Sequence, residues 1–301
     1  MASGRSADTS RALSSDFSEL SHLSHRMHNL QSVRESLGQA KTWGDALQTS
    51  LETIGQAGQR VAQALPASLA AAGNDGVQQA AATARGAAED IGAALRHTIA
   101  GRAIFANGSE TPPLASVADV LDDVGLLARG AADFDSYVNA VDSYFASAGT
   151  FETTRVTGFD AAPIRFPAGE GQSVSFAVDA KSSEVRDAFK QAVLVAGLSD
   201  AGFDMRAGDR GAAMMVLQER SAQVGANLPL LQGRIGVQEA RIATRYDAAE
   251  TGLQDAEVAI SEAVGVDPFD VATRLQDEMS RLETLYAITA RQAQLRLTDY
   301  L

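Results

Sequence analysis

Three histidines at a spacing of three, His22, His25 and His28 in HLSHRMH, form the densest cluster of chemically capable side chains in the sequence. On a helix His22 and His25 share a face and could hold a metal between them. The zinc-protease arrangement needs a spacing of four with an intervening glutamate, and that glutamate is absent. Leu23, Met27 and Leu30 carry an apolar periodicity through the same stretch, so the imidazoles read as solvated side chains. His97 has no chemical neighbour in sequence. The carboxylate pairs Glu89-Asp90 and Asp122-Asp123 point about 100° apart on a helix, which makes them a solvated face rather than an acid–base pair. Gly-x-x-x-x-Gly spacings occur without the Lys-Ser/Thr of a phosphate loop. Trp43, the one tryptophan, falls between apolar seam positions and reads as packing against a third helix. Met214-Met215 reads as seam filler. The chain has no cysteine, which excludes thiolate nucleophiles, disulfides and thiolate metal sites. No catalytic, cofactor-binding or metal-binding residue is assigned, and no enzyme is expected.

The elements that position these residues are set by composition and period. Among 301 residues, 25 Lys and Arg face 38 Asp and Glu, a formal charge of -13. So acidic a chain does not seek nucleic acid or an anionic membrane surface. No run approaches the ~18 apolar residues of a membrane span, and MASGRSADTSR lacks the apolar centre of a secretory signal peptide. Aromatics are 6% of residues and alanine is abundant, a composition suited to thin, closely packed helices.

Steps of three and four carry a stripe through Leu20, Leu23, Met27, Leu30, Arg34, Leu37, Ala40, Gly44, Leu47, Leu51, Ile54, Gly58, Val61 and Leu65, with Arg34, Gly44 and Gly58 as its weak members. That is the seam of a supercoiled helix, ended by Pro66, which cannot continue the hydrogen-bond ladder. At 1.5 Å per residue such a helix is roughly 65 Å long and needs an equally long partner. The partner pattern begins at Arg210 and runs through Met214, Leu217, Ser221, Val224, Leu228, Leu231, Ile235, Gln238 and Ile242, with a stutter before Tyr246, Ala249, Leu253, Ala256, Ile260 and Ala263. Pro229 predicts a kink or restart near Leu228. The two arrays match in length and period, so Leu47, Leu51, Ile54 and Val61 are expected to face Leu228, Leu231, Ile235 and Ile242 in an intramolecular seam.

Between the arrays, Gly73-Asn74-Asp75-Gly76 predicts a linker before a helix from Val77 to about Ala100. Asn107-Gly108 and Pro112-Pro113 are turn signals, and helices are expected over Val117–Leu127 and Phe134–Phe145, with Asp133 at the start of the second. Thr150 to Val156, Ile164 to Phe166 and Val174 to Val178 have strand character, with a hairpin connection at Pro167–Gly171, and Ser182-Ser183-Glu184 opens a helix over Val185–Leu198. The fold class read from this pattern is mainly α: an elongated antiparallel helical bundle or coiled coil built from both chain ends, with a small α+β insert. Its divisions are a disordered start (1–16), the first half of the rod (17–148), a small outer insert (149–204), the second half of the rod (205–264) and a terminal assembly helix (265–301).

That last helix, opened by Asp267 and Pro268, carries one stripe through Leu275, Met279, Leu282 and Tyr286 and a second through Leu285, Ile288 and Leu295, and it ends at Leu297, Tyr300 and Leu301. Two stripes are more than one partner helix covers. Apolar residues kept to the last position mark an interaction surface, so these ten residues are the expected contacts to other subunits or to a chaperone.

The order of long heptads, central insert and long heptads resembles bacterial flagellins and their relatives, over residues 15–145 and 205–301. GRAIFANGSETPPL at 101–114 is similar to the Gly-Arg-aromatic-hydrophobic-Phe-small-Gly segment, followed by Thr and Pro, of the hook–filament junction branch (hook-associated protein 3). LQGRIGVQEARI at 231–242 is similar to the family's Gly-x-x-x-Asn-Arg segment, with Glu239-Ala240-Arg241 in its place. LRLTDYL at 295–301 is similar to the Ser-Leu-hydrophobic-Asp-Tyr-Leu ending of junction proteins, whereas filament flagellins more often end in Leu-Leu or Leu-Gly. The resemblance implies a structural, non-enzymatic component of the flagellum that joins hook to filament, located outside the cell and exported through the type III apparatus without a cleaved signal peptide. It implies as partners other copies in a ring, the neighbouring hook-associated protein and flagellin, and an export chaperone on the terminal helix; no cofactor, nucleic acid or membrane is implied. The family opens with a further helix, and GRSADTSRALSSDFSEL looks like the segment after it, so the terminal helix is expected to lack that mate. The alternatives are a filament flagellin or, from a different class, a soluble coiled-coil adaptor or chaperone.

Overall fold

The computed structural model describes residues 18–70, 74–159, 162–203, 207–264, 276 and 279–283, and these are mainly helical. The order is α1 (Ser18–Ala70), α2 (Asp75–Leu95), a hairpin of β1 (Thr98–Ile99) and β2 (Arg102–Ala103), α3 (Val117–Gly130), α4 (Phe134–Tyr144), a hairpin of β3 (Phe166–Pro167) and β4 (Ser173–Val174), α5 (Ser183–Ala196) and α6 (Ala207–Val264). Both hairpins are antiparallel, with Thr98 opposite Ala103 and Phe166 opposite Val174. The chain divides into two units, one of residues 33–247 and one of residues up to 32 and from 248 onward.

In the larger unit the heptad positions Leu37, Ala40, Leu47, Leu51, Ile54, Val61 and Leu65 of α1 are buried, as are Leu217, Val224, Leu228, Leu231, Ile235 and Ile242 of α6. A second buried row on α1, Trp43, Ser50 and Ala57, is spaced by seven. Two faces of one helix are therefore covered, which fixes its rotation more tightly than a single stripe would. In the smaller unit Leu23, Met27 and Leu30 are half-buried, Ala249, Leu253 and Ala256 are buried, and the Leu30 side chain stands over Gly252.

Four expectations are corrected. Pro66 does not end its helix but lies inside α1, and α6 runs through Pro229 without a restart. Each removes one backbone donor, but Leu65 and, around Pro229, Leu228 and Leu231 stay in the buried rows, and that burial outweighs the lost bond. Helix α2 stops at Leu95 rather than near Ala100, because the β1–β2 hairpin takes up the chain, turning through Ala100 and Gly101 at positive φ. Thr150 to Val156 is not a strand. Phe151–Arg155 makes one wide helical turn closed by the Val156 amide on the Phe151 carbonyl (3.1 Å). Phe151 is held in a cluster with Phe145 (ring centroids 4.6 Å apart), Phe189 (5.8 Å) and Tyr144 (6.3 Å), and this packing overrides the local preference for extended chain. Finally, the helix of the expected outer insert is a core element: nine residues of α5, among them Val185, Phe189 and Val193, are buried.

Caps define the shorter helices. Ser116 Oγ accepts from the Asp119 amide at the start of α3, and Asp133 Oδ1 accepts from the Ser136 amide (2.7 Å) at the start of α4. Asn107 and Gly108 both adopt positive φ, and a Cβ on Gly108 would collide with Ile164.

Helix α2 contains a matched pair of glycines. At Gly92 a Cβ would stand 2.0 Å from Val117 Cγ2, while at Gly86 it would meet nothing within 4 Å. Alanine improves helix propensity equally at both sites, by about 0.5–1 kcal/mol. Gly86→Ala is therefore expected to stabilise the protein by that amount. Gly92→Ala forces α2 from α3 and is expected to destabilise by about 1–3 kcal/mol. Urea unfolding of the two variants against the parent measures both signs.

Candidate assembly interface

Within the larger unit, α1 and α6 pass each other in opposite directions. Tyr246 stands beside Gly38, Glu239 beside Gly44, Leu228 over Gly55 and Val224 over Gly58. Gln48 Nε2 donates to the Gln232 carbonyl (3.1 Å) and to Glu239 Oε2 (3.2 Å). Each advance along α1 thus matches a retreat along α6. Leu47, Leu51, Ile54, Val61, Leu228, Leu231, Ile235 and Ile242 are all buried, with at most 3% of their surface exposed.

The groove beside this line encloses about 310 Å³ and is lined in part by Ala62, Gly55, Gly58, Gly225, Ser221 and Pro229. Glu52 is its acid, Gln56, Gln59 and Gln232 bring amides to it, and no histidine or basic residue lines it. His22, His25 and His28 are exposed, and among the described residues no group of three or more His, Cys, Asp or Glu is arranged to hold a metal ion. No helix among them is long and apolar enough to cross a membrane.

Met279 and Leu282 are 60% and 51% exposed, and residues 279–283 are helical. Leu275, Leu285, Tyr286, Ile288, Leu295, Leu297, Tyr300 and Leu301 lie outside the described residues. Trp43 is buried, with its ring 6.2 Å from that of Phe166 in β3 and its edge beside Gly108. His97 does have a partner, Ser50 Oγ, 3.0 Å from its Nδ1.

The polar anchors of the unit were not visible in sequence. Arg155 grips Asp123 with two hydrogen bonds, Nε to Oδ2 (2.8 Å) and Nη2 to Oδ1 (2.9 Å), and Tyr144 donates to the same carboxylate (2.7 Å). The guanidinium beside it holds the Asp123 carboxyl below the usual carboxylate range, against the opposing pull of burial, and the Tyr144 hydroxyl adds to the effect. A second knot joins α4, α5 and α6: Arg220 makes two bonds to Asp142, and Lys190 bridges Asp142 and Asp187. Buried Gln191 donates to the Leu217 carbonyl and to Ser221 Oγ, both at 3.0 Å. The one sequence signal for these anchors was Ser221, a polar residue in an otherwise apolar seam position.

These clusters tie α3, α4, α5 and α6 together. No family model, curated protein or solved structure matches the chain.

A depressed folded-state pKa at Asp123 contributes stability above the ordinary carboxylate pKa and loses it as pH falls through the folded value. Asp123→Asn is expected to lower Tm at pH 7 by about 2–4 °C, on the order of 1 kcal/mol for a partly exposed charge-assisted bond in a chain of this size. The difference from the parent should narrow as pH falls below the ordinary carboxylate range and vanish only below the folded value. Asp119→Asn, at a carboxylate 53% exposed, should change Tm little at any pH. Circular dichroism melts across that range make the comparison.

Proposed function

We propose that this chain is a structural axial protein of the bacterial flagellum that joins hook to filament by helix packing between subunits, its framework an antiparallel coiled coil built from both chain ends. The observation that carries the reading is the opposed run of 38–58 of α1 against 224–246 of α6, with buried heptad residues on both sides. A chain that spends its longest helices on each other offers surface rather than chemistry.

Support for the flagellar reading comes from the motifs at 101–114, 231–242 and 295–301 and from the exposed apolar pair Met279 and Leu282. Apolar residues at heptad spacing left in solvent are the form of a surface awaiting other copies or a chaperone. On this reading the partners are copies of the chain in a ring, the adjoining hook-associated protein and flagellin, and an export chaperone, and the site of action is outside the cell after type III export. A soluble coiled-coil adaptor would share the framework but would act without other flagellar proteins.

Deleting the gene and imaging cells by electron microscopy separates these. Bare hooks with filament protein shed into the medium are the expected result, and normal filaments end the proposal. A Met279→Glu, Leu282→Glu double variant should keep the helical circular dichroism of the parent yet fail to restore filaments to the deletion strain.

A further inference from the structure

The solvent side of α6 carries a second apolar row, opposite the buried one. Ala226, Leu230, Gly233, Val237 and Ala240 follow at steps of four, three, four and three, extended by Ala222 and Thr244 one turn beyond each end. All are exposed, Leu230 by 66% and Val237 by 54%. On a chain of net charge -13, this row holds no charged residue over about six turns of helix. We propose that it is a two-fold self-association face, on which a second copy of this chain docks antiparallel with Gly233 at the crossing.

The first argument is symmetry. A two-fold contact must be complementary to itself, residue i meeting j while j meets i. Read outward from Gly233, the row runs large, alanine, small in both directions. Antiparallel pairing on that centre sets Leu230 against Val237, Ala226 against Ala240 and Ala222 against Thr244. The second is the glycine. A Cβ at Gly233 would meet nothing within 4 Å in the single chain, so the fold does not require glycine there, and in a helix interior it costs about 1 kcal/mol relative to alanine. Close approach of a second backbone gives it a reason.

The third argument is charge. The edge beside the row carries Glu219 and Gln223 at one end and Arg241 and Arg245 at the other. Antiparallel docking brings Gln223 level with Arg241 and Glu219 level with Arg245, each twice. In the single chain Glu219 accepts from the Gln223 amide, and Arg245 donates to Gln172 and to the Ala168 carbonyl, all neutral partners. Arg234, nearest the axis, is already paired with Glu184. The face is roughly 33 Å long and 10 Å wide, so each copy covers less than half of the ~800 Å² per partner of a standard stable interface. The dimer is therefore weak and concentration-dependent. It concerns the free subunit and does not rest on the flagellar reading.

The cysteine-free chain allows a direct test by mild oxidation of single-cysteine variants of the full chain at about 0.5 mM. Gly233 and Gly225 both have open space for a side chain. Gly233→Cys is expected to form disulfide dimers at least tenfold faster than Gly225→Cys, whose two sulfurs would lie about 24 Å apart along the pair, beyond disulfide reach. In case a side chain at 233 itself obstructs the crossing, Leu230→Cys and Val237→Cys proteins are mixed, and the cross-linked heterodimer should exceed either homodimer. Equal rates at 225 and 233 together with no heterodimer preference, or a monomer by sedimentation at every concentration, would overturn the proposal. Leu230→Glu in the Gly233→Cys background should abolish the cross-link, and its persistence would count equally against it.

Discussion

Two apolar rows far apart in the chain, on α1 and α6, leave water along their opposed run, and the rest of the larger unit is arranged around that meeting. Burial along both helices is not directional, since a shift by one heptad would hide nearly as much surface. The polar residues set into the line supply direction. Gln48 reaches across to the Gln232 carbonyl and Glu239, and Gln191 reaches from α5 to Ser221 and the Leu217 carbonyl. A slipped register leaves these groups buried without partners, a loss of about 1–3 kcal/mol for each. Hydrophobic contact supplies most of the stability, and a few amides and hydroxyls select one alignment.

Around that line the middle of the chain is assembled by aromatic packing and paired charge. Phe151 joins Tyr144, Phe145 and Phe189, uniting α4, α5 and the wide turn between them. Arg155 then ties the same turn to α3 through Asp123, and Tyr137 of α4 donates to the Leu194 carbonyl of α5 at 2.7 Å. An acidic chain of low aromatic content thus concentrates its rings and its two-point ion pairs in one place, where α3, α4 and α5 converge.

What could be read from the sequence follows from range. The three–four alternation is a local property, and burial along α1 and α6 tracks it almost residue by residue, from Leu37 to Leu65 and from Leu217 to Ile242. The short helices were equally legible, because Asp133 and the Ser182 region announce their starts. Thr150 to Val156 misled because β-branched composition was the only local signal, while Phe151 answers to partners distant in sequence. Arg155 and Asp123 stand 32 positions apart and Arg220 and Asp142 stand 78 apart, and nothing in either neighbourhood announces the pairing. The burial of α5 was hidden in the same way: its helical character was plain, but its depth depends on α2, which precedes it by many turns of chain.

The prolines inside the long helices have a mechanical meaning. Without an amide at Pro66 or Pro229, the carbonyls of Ala62 and Gly225 receive no bond from the residue four places on, and both residues line the same groove. Leu228 stands over Gly55 and Val224 over Gly58, so the gap at Pro229 lies about two turns along the pair from the gap at Pro66. A transverse load on the pair therefore meets one weakened rod at a time, with the neighbour's ladder unbroken beside each gap.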